Sequence, residues 1–271
     1  MNRLFKATVT DNKQIKKDHY LLTLQPLKKI NRPEPGNFFM LAVDSSLDPL
    51  LKRPFSIHRW LGHDFQILYR IAGRGTGILS KRRAGDLLDV IGPLGNEFPP
   101  AKTHDKIILI AGGLGIAPIF SLAEKLKKKR PLLFYGARTK EELLCIDELK
   151  SLGIEPVITT NDGTLGYKGV ITDILKKFLT QNLKLKTQNC IYACGPKPML
   201  MALSLLARKY DLKGYMALEQ NMACGLGTCL GCVVNTIDGF KRVCKEGPVF
   251  SIDEIVWEDN SVPKKELKKF H

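Results

Sequence analysis

The chain has 271 residues, a length that predicts about two domains at roughly 100–200 residues each. Hydrophobic residues are 44% and charged residues 25% of it, an ordinary globular balance that excludes wholesale disorder, a collagen-like fibre and a multi-spanning membrane protein. Lys and Arg number 42 against 27 Asp and Glu, a net charge of +15. This reads as a solvated basic surface, because the densest run, Lys125–Arg130, closes a helical pattern where cations suit the helix dipole.

The opening MNRLFKATVTDNK has no apolar core of a secretory signal. The longest uncharged apolar-rich stretch, Ile107–Phe120, is broken by glycines and a proline and falls short of the roughly 18 apolar residues that a membrane span needs. The expectation is a soluble cytoplasmic protein without membrane or nucleic-acid partners. Seven cysteines without a secretory signal argue against a disulfide framework.

Residues 1–100 read as strands. LFKATVTDN, HYLLTLQPL, NFFMLAV, PFSIHRW, DFQILYRI and LLDVIGPLG are short, β-rich and separated by Asn, Asp, Pro and Gly, which predicts an antiparallel barrel or sandwich. A short helical pattern over 77–83 interrupts them. Arg53-Pro54-Phe55-Ser56 falls in one strand. Leu68-Tyr69-Arg70 leads into Gly73-Arg74-Gly75-Thr76, a glycine turn feeding the helix. Backbone N–H groups at a helix start suit a pyrophosphate. Arg53 and Arg70 supply cations, Tyr69 an aromatic face and Ser56 a hydroxyl. On its own, a Gly-x-Gly turn in a barrel is first of all a turn.

Residues 101–214 alternate strand and helix. IILIAGG, LLFYGAR, PVITTND and CIYACGP are each followed by a helical pattern, over 118–129, 141–152, 172–179 and 199–210. That alternation predicts a doubly wound parallel sheet. Gly112-Gly113-Leu114-Gly115-Ile116-Ala117-Pro118 lies between strand and helix, where a dinucleotide pyrophosphate is cradled. It departs from G-x-G-x-x-G at Pro118. The acid expected about twenty residues on is not evident, and Arg138 follows the second strand instead. Cys194-Gly195-Pro196 ends a later strand, and strand carboxyl ends line the ligand crevice of such sheets. Cys194 is therefore a candidate near a nicotinamide, with a packed thiol as the alternative. Cys145 and Cys190 read as buried inert thiols.

Residues 215–271 are rich in cysteine and glycine. Cys224, Cys229, Cys232 and Cys244 give C-x4-C-x2-C-x11-C, and the first three match the plant-type [2Fe–2S] spacing. A short loop wraps one side of the cluster, and the last thiolate returns on a hairpin signalled by Asp238-Gly239. Gly225, Gly227 and Gly231 permit the tight wrap. The alternative is a structural zinc site, but such sites usually pair two C-x2-C knuckles and the sequence has one.

Together the three regions resemble the electron-transfer subunit of type B dihydroorotate dehydrogenases, within the ferredoxin–NADP reductase superfamily. The RPxS and YRxxGxGT runs match at Arg53–Ser56 and Tyr69–Thr76, GGxGIAP at Gly112–Pro118, and CGP at Cys194–Pro196. The most specific match is the run Glu219–Cys224 with the cysteines that follow it, MACGxGxCxGC over Met222–Cys232, and then Arg242 and VCKxGPVF over Val243–Phe250. The resemblance implies an FAD-binding barrel (1–100), an NAD-binding α/β domain (101–214) and a [2Fe–2S] region (215–271). FAD contacts are implied at Arg53, Pro54, Phe55, Ser56, Leu68, Tyr69, Arg70, Gly75 and Thr76. NAD(H) contacts are implied at Gly112, Gly113, Gly115, Cys194, Gly195 and Pro196. The implied role is an electron relay in pyrimidine biosynthesis, between NAD⁺ and the FMN of a separate catalytic subunit that oxidises dihydroorotate to orotate. The implied complex is a heterotetramer of two subunits of each kind. The alternatives are an NAD(P)H–ferredoxin type oxidoreductase subunit, a non-enzymatic redox sensor and a basic nucleic-acid binder.

Overall fold

A computed structural model describes residues 3–44, 48–102, 106–181 and 189–257. The end of the expected cluster region, 258–271, lies outside the described residues.

The first sheet contains β1 (Leu4–Lys16), β2 (His19–Pro26), β3 (Phe38–Leu41), β4 (Arg53–Ser56), β5 (Arg59–Trp60), β6 (Phe65–Arg70) and β7 (Leu87–Leu94). All pairings are antiparallel, in the order β4-β3-β7-β1-β2-β6-β5. Alternate residues point inward, so Phe5, Ala7 and Val9 of β1 meet Leu22 and Leu24 of β2 and Phe39 and Leu41 of β3 in one core. Phe55 near one edge and Trp60 near the other pack on that same core, and β4 approaches β6. The sheet therefore curls into a barrel. The short helix α1 (Arg74–Leu79) starts three residues before the sequence pattern suggested, because Thr76 Oγ1 accepts the Ala72 and Gly73 N–H groups at 2.8 and 3.2 Å and closes the turn early.

The second sheet contains β8 (Lys106–Gly112), β9 (Leu132–Ala137), β10 (Val157–Thr160), β11 (Tyr167–Lys168), β12 (Asn189–Cys194), β13 (Gly214–Ala217) and, after the cysteine run, a last strand (Val249–Ser251). The hairpin strands β14 (Val233–Thr236) and β15 (Gly239–Arg242) precede that last strand, which is therefore β16. The order is β11-β10-β9-β8-β12-β13-β16. Every pairing is parallel except that of β16 with β13. Helices α2 (Ile116–Leu126), α3 (Ile146–Ser151), α4 (Ile171–Gln181) and α5 (Lys197–Tyr210) connect the strands. β8 sends Ile108 and Ile110 to one face and Ile107, Leu109 and Ala111 to the other, into two separate cores. Strand order reverses between β8 and β12, and that switch point is where a doubly wound sheet opens its ligand crevice.

Three details differ from the sequence pattern. The helix expected over 141–152 is only Ile146–Ser151. Ahead of it a 3-10 turn spans Lys140–Glu142, and the buried Tyr135 hydroxyl takes the Leu144 N–H at 3.0 Å. Cys145 then starts α3 with φ of 59°. β13 and β16 carried too few residues to show a period, yet both extend the α/β sheet. The two-residue loop between β14 and β15 is Ile237-Asp238, with Gly239 at the start of β15.

The barrel and the C-terminal region are locked by Asn96. Its side chain donates to Glu246 O and Val249 O at 3.1 and 2.8 Å and accepts from Val249 N at 2.9 Å. Beside it, a Cβ on Gly95 would lie 2.4 Å from Pro248 Cδ. Replacing Asn96 with Ala removes three bonds and leaves polar groups unpaired. The expected loss is about 2–3 kcal/mol, read as a lower denaturant midpoint, with NAD-independent unfolding of the C-terminal region first.

Candidate functional site

Two clefts meet where the barrel faces the α/β sheet. The first, about 480 Å³, runs along β4, β6 and the chain leaving β13. Of the expected flavin residues, Pro54, Phe55, Ser56, Leu68, Tyr69, Arg70 and Thr76 line it. Arg53 and Gly75 do not. Arg53 bends back to donate to Leu51 O, and Gly75 covers its guanidinium, so closely that a Cβ there would sit 2.8 Å from Nε. Tyr69 is fixed from behind. Its hydroxyl donates to Asn12 Oδ1 at 3.0 Å, and its ring stacks on Tyr20 with centroids 5.5 Å apart. The lining is an apolar slot of Phe38, Phe55, Leu68 and Met222 with a hydroxyl at Ser56 and a cation at Arg70. That donor set fits a flat aromatic ring carrying an anionic tail.

The second cleft, about 690 Å³, opens at the switch point. Gly112, Gly113, Gly115, Gly195 and Pro196 line it as expected. Glycine at 115 is required by packing, since a Cβ would fall 2.2 Å from Cys194 O. Pro118 is accommodated in the first turn of α2, where no N–H is needed. The cleft also holds a buried hydroxyl with no partner, Thr159 Oγ1, an orphan that a bound dinucleotide could satisfy. Cys194 is not among the residues that line this cleft. Its thiol is 1% exposed and packed in the core, and burial and the neighbouring Glu219 charge raise its pKa well above the usual range. These are the surroundings of a packed thiol.

Four residues line both clefts: Arg70, Ala72, Leu114 and Glu219. No periodic pattern singles out Glu219, which stands just beyond the short β13. Water reaches it, yet protein packs closely around its carboxyl group, and this enclosure raises its pKa against the opposing charge of Arg70. A carboxyl group is thus held where the two ligands would meet.

The cysteines follow directly. Met222 lines the first cleft, and Cys224 lies two residues on. Gly225 turns with φ of 69° against β3, where a Cβ would meet Met40 Cγ at 2.6 Å. The thiols fall into two pairs, Cys224 with Cys229 and Cys232 with Cys244, each in side-chain contact. Two pairs of thiolates are what two irons require. Backbone N–H groups of Leu226 and Cys244 point at the sulfurs of Cys224 and Cys232, at 3.3 and 3.4 Å. For Cys224, burial raises the pKa, but hydrogen bonds from Thr228 and the Leu226 and Cys229 backbone outweigh it and bring the thiol to about 5. Cys244 is pushed up to about 12 by burial and by Cys232. Cys232 and Cys244 are buried while Cys229 is exposed, so one side of the set faces outward. Arg242 braces the loop by donating to Gly227 O at 2.6 Å and to both oxygens of Glu246.

Comparisons with known proteins agree with this geometry. The family described as "Iron-sulfur cluster binding domain of dihydroorotate dehydrogenase B" matches residues 219–256, and "Oxidoreductase NAD-binding domain" matches 109–204. A solved structure of an NADH-dependent reduced ferredoxin-NADP oxidoreductase superposes with a TM-score of 0.79 at 27% identity, over 93% of this chain and 90% of that one. The ferredoxin-NADP⁺ reductase of Plasmodium falciparum shares the fold, with a TM-score of 0.63 at 17% identity over 77% and 90% of the two chains. The fold and sites define an NAD-linked oxidoreductase subunit whose cofactors are FAD, a [2Fe–2S] cluster and NAD(H). The "Dihydroorotate dehydrogenase B (NAD(+)), electron transfer subunit" of Caldanaerobacter subterraneus subsp. tengcongensis is 36% identical over 93% of this chain and 98% of its own length. The homolog of that subunit in Aquifex aeolicus is 40% identical over 92% and 97%. The chain belongs to the family of dihydroorotate dehydrogenase B electron transfer subunits.

Two outcomes test the site. Cys229→Ser should lose the visible absorption and labile sulfide of the cluster while retaining flavin, because the first cleft holds no part of residue 229. Glu246 is held down to about 2, chiefly by its bond from Arg242. Its contribution is present above its ordinary value of 4.5 and is lost as pH falls toward 2. The stability difference between wild type and Glu246→Gln should therefore be full at neutral pH and shrink below 4.5, measured by denaturant titration.

Proposed function

We propose that the chain relays electrons between NAD⁺ and the FMN of a separate dihydroorotate-oxidising subunit, serving orotate formation in the cytoplasm. The observation that carries this reading is the run Leu218–Cys224, which walls the first cleft and ends at the first thiol. This supports a flavin and a cluster lying close together, as electron transfer between them needs. FAD, when bound, exchanges a hydride with nicotinamide and single electrons with the cluster.

The residues divide this work. Ser56, Tyr69, Arg70 and Thr76 hold the flavin, with Arg53 and Gly75 shaping the loop behind them. Gly112, Gly113 and Gly115 bring backbone against the nicotinamide dinucleotide, and Gly195 and Pro196 form the facing edge. Leu114 and Ala72 exclude water where the clefts join. Cys224, Cys229, Cys232 and Cys244 ligate the cluster. No helix among the described residues is long and apolar enough to cross a membrane.

The exit faces the catalytic subunit. In the cysteine-rich region Leu226, Leu230, Ile237 and Phe240 are 48%, 60%, 67% and 78% exposed, and Leu230 and Phe240 line one open hollow. An apolar patch rimmed by polar groups marks a protein interface, here within a complex of two subunits of each kind. The ferredoxin-linked reading is supported by fold and by 27% identity, against 36% and 40% for the dihydroorotate dehydrogenase relatives.

The purified chain should reduce an artificial dye with NADH and should not oxidise dihydroorotate. Adding the FMN-containing subunit should create dihydroorotate-dependent NAD⁺ reduction. Leu230→Asp or Phe240→Asp should weaken assembly by at least about tenfold, as for loss of a buried anchor, while Lys128→Ala should not. Dihydroorotate oxidation by this chain alone, or no complex with that subunit, would refute the assignment.

A further inference from the structure

Beyond the carboxyl ends of β9 and β10, the second cleft is lined by Arg138, Glu142 and Asn161. In dinucleotide folds this position, the end of the second strand, carries an acid where the ribose has a free 2′-hydroxyl or an arginine where it bears a 2′-phosphate. Here both are present and bonded to each other. Arg138 Nε donates to the two Glu142 carboxylate oxygens at 2.8 and 3.1 Å, Nη2 donates to Oε1, and the Arg138 backbone N–H donates to Oε2 at 3.3 Å. The acid that the sequence pattern lacked is therefore supplied four residues late, by the 3-10 turn folding back.

That turn is tied to the glycine loop. The Tyr135 hydroxyl donates to Gly113 O at 3.2 Å and accepts from Leu144 N at 3.0 Å. The Arg138 side chain is 67% exposed, and an exposed ion pair contributes little to stability. Its position in the cleft gives it a different consequence.

We propose that Glu142 sets the preference of this chain for NAD(H) over NADP(H) by occupying Arg138. The Nε–Nη2 edge of the guanidinium is one that would grip a phosphate with two parallel bonds, and the carboxylate already fills it. The same carboxylate places a negative charge beside the position of a 2′-phosphate, itself carrying about −1.5 to −2. Specificity then comes from a repulsive element as much as from an attractive one. The proposal rests on reading the second cleft as the dinucleotide site.

The test is calorimetric titration of the FAD- and cluster-loaded chain with 5′-AMP and with adenosine 2′,5′-bisphosphate. It compares wild type, Glu142→Ala, Glu142→Gln and the double variant Glu142→Ala/Arg138→Ala. NADH- and NADPH-dependent dye reduction is measured in parallel. Wild type should bind 5′-AMP. In Glu142→Ala the affinity for the bisphosphate relative to 5′-AMP should rise about tenfold or more, the size of one charge-assisted hydrogen bond. The NADPH to NADH ratio of kcat/KM should rise with it, Glu142→Gln should show part of the gain, and the double variant should lose it. A ratio in Glu142→Ala equal to wild type, or a gain that survives loss of Arg138, overturns the role of Glu142. Failure of wild type to bind either nucleotide overturns the cleft assignment and this proposal with it.

Discussion

The structure depends on one short connection, the chain that leaves β13 at Ala217 and reaches Cys224. Its first residues wall the flavin cleft, Glu219 stands at the junction of both clefts, and its end is pinned to the barrel where Gly225 meets Met40. A longer or looser connection would leave the distance between cofactors unfixed. Asn96, bonded to Glu246 and Val249, closes the same arrangement from the other side of the cysteine loop. β16 returns to the sheet that β13 left, so the cysteine loop between them is anchored at both ends to the α/β sheet.

Much of this was legible in the sequence for definable reasons. β7 and the first half of β1 alternate because one face is buried, and β8 and β12 are apolar after their first residue because both faces are buried. The cysteine spacing is set by cluster size and survives any context. What was not legible depends on distant contacts. β13 and β16 are too short to show a period. The shortened α3 follows from Tyr135 claiming Leu144 N–H, a bond between residues nine apart.

The site divides in the same way. Gly112, Gly113 and Gly115, and side chains such as Ser56 and Arg70, fall on cleft walls, since strand ends fix where they lie. Arg53 and Cys194 sit in the matching motifs but face elsewhere, the one toward Leu51 and the other into the core. A motif fixes the backbone path, and side-chain direction is settled by packing. Glu219 opened the most specific matching run but had no role assigned to it, and Glu142 carried no motif signal, because an acid after a strand is ordinary until the fold shows which cleft it borders.

The central claim is that nicotinamide, flavin and cluster lie on one continuous path within this single chain. Rapid mixing of the purified protein with NADH, following flavin and cluster absorption together, tests it most directly. Both chromophores should bleach without any partner, and Cys229→Ser should keep flavin bleaching while losing the cluster signal. Flavin bleaching beside a cluster that stays oxidised in the wild type would contradict it.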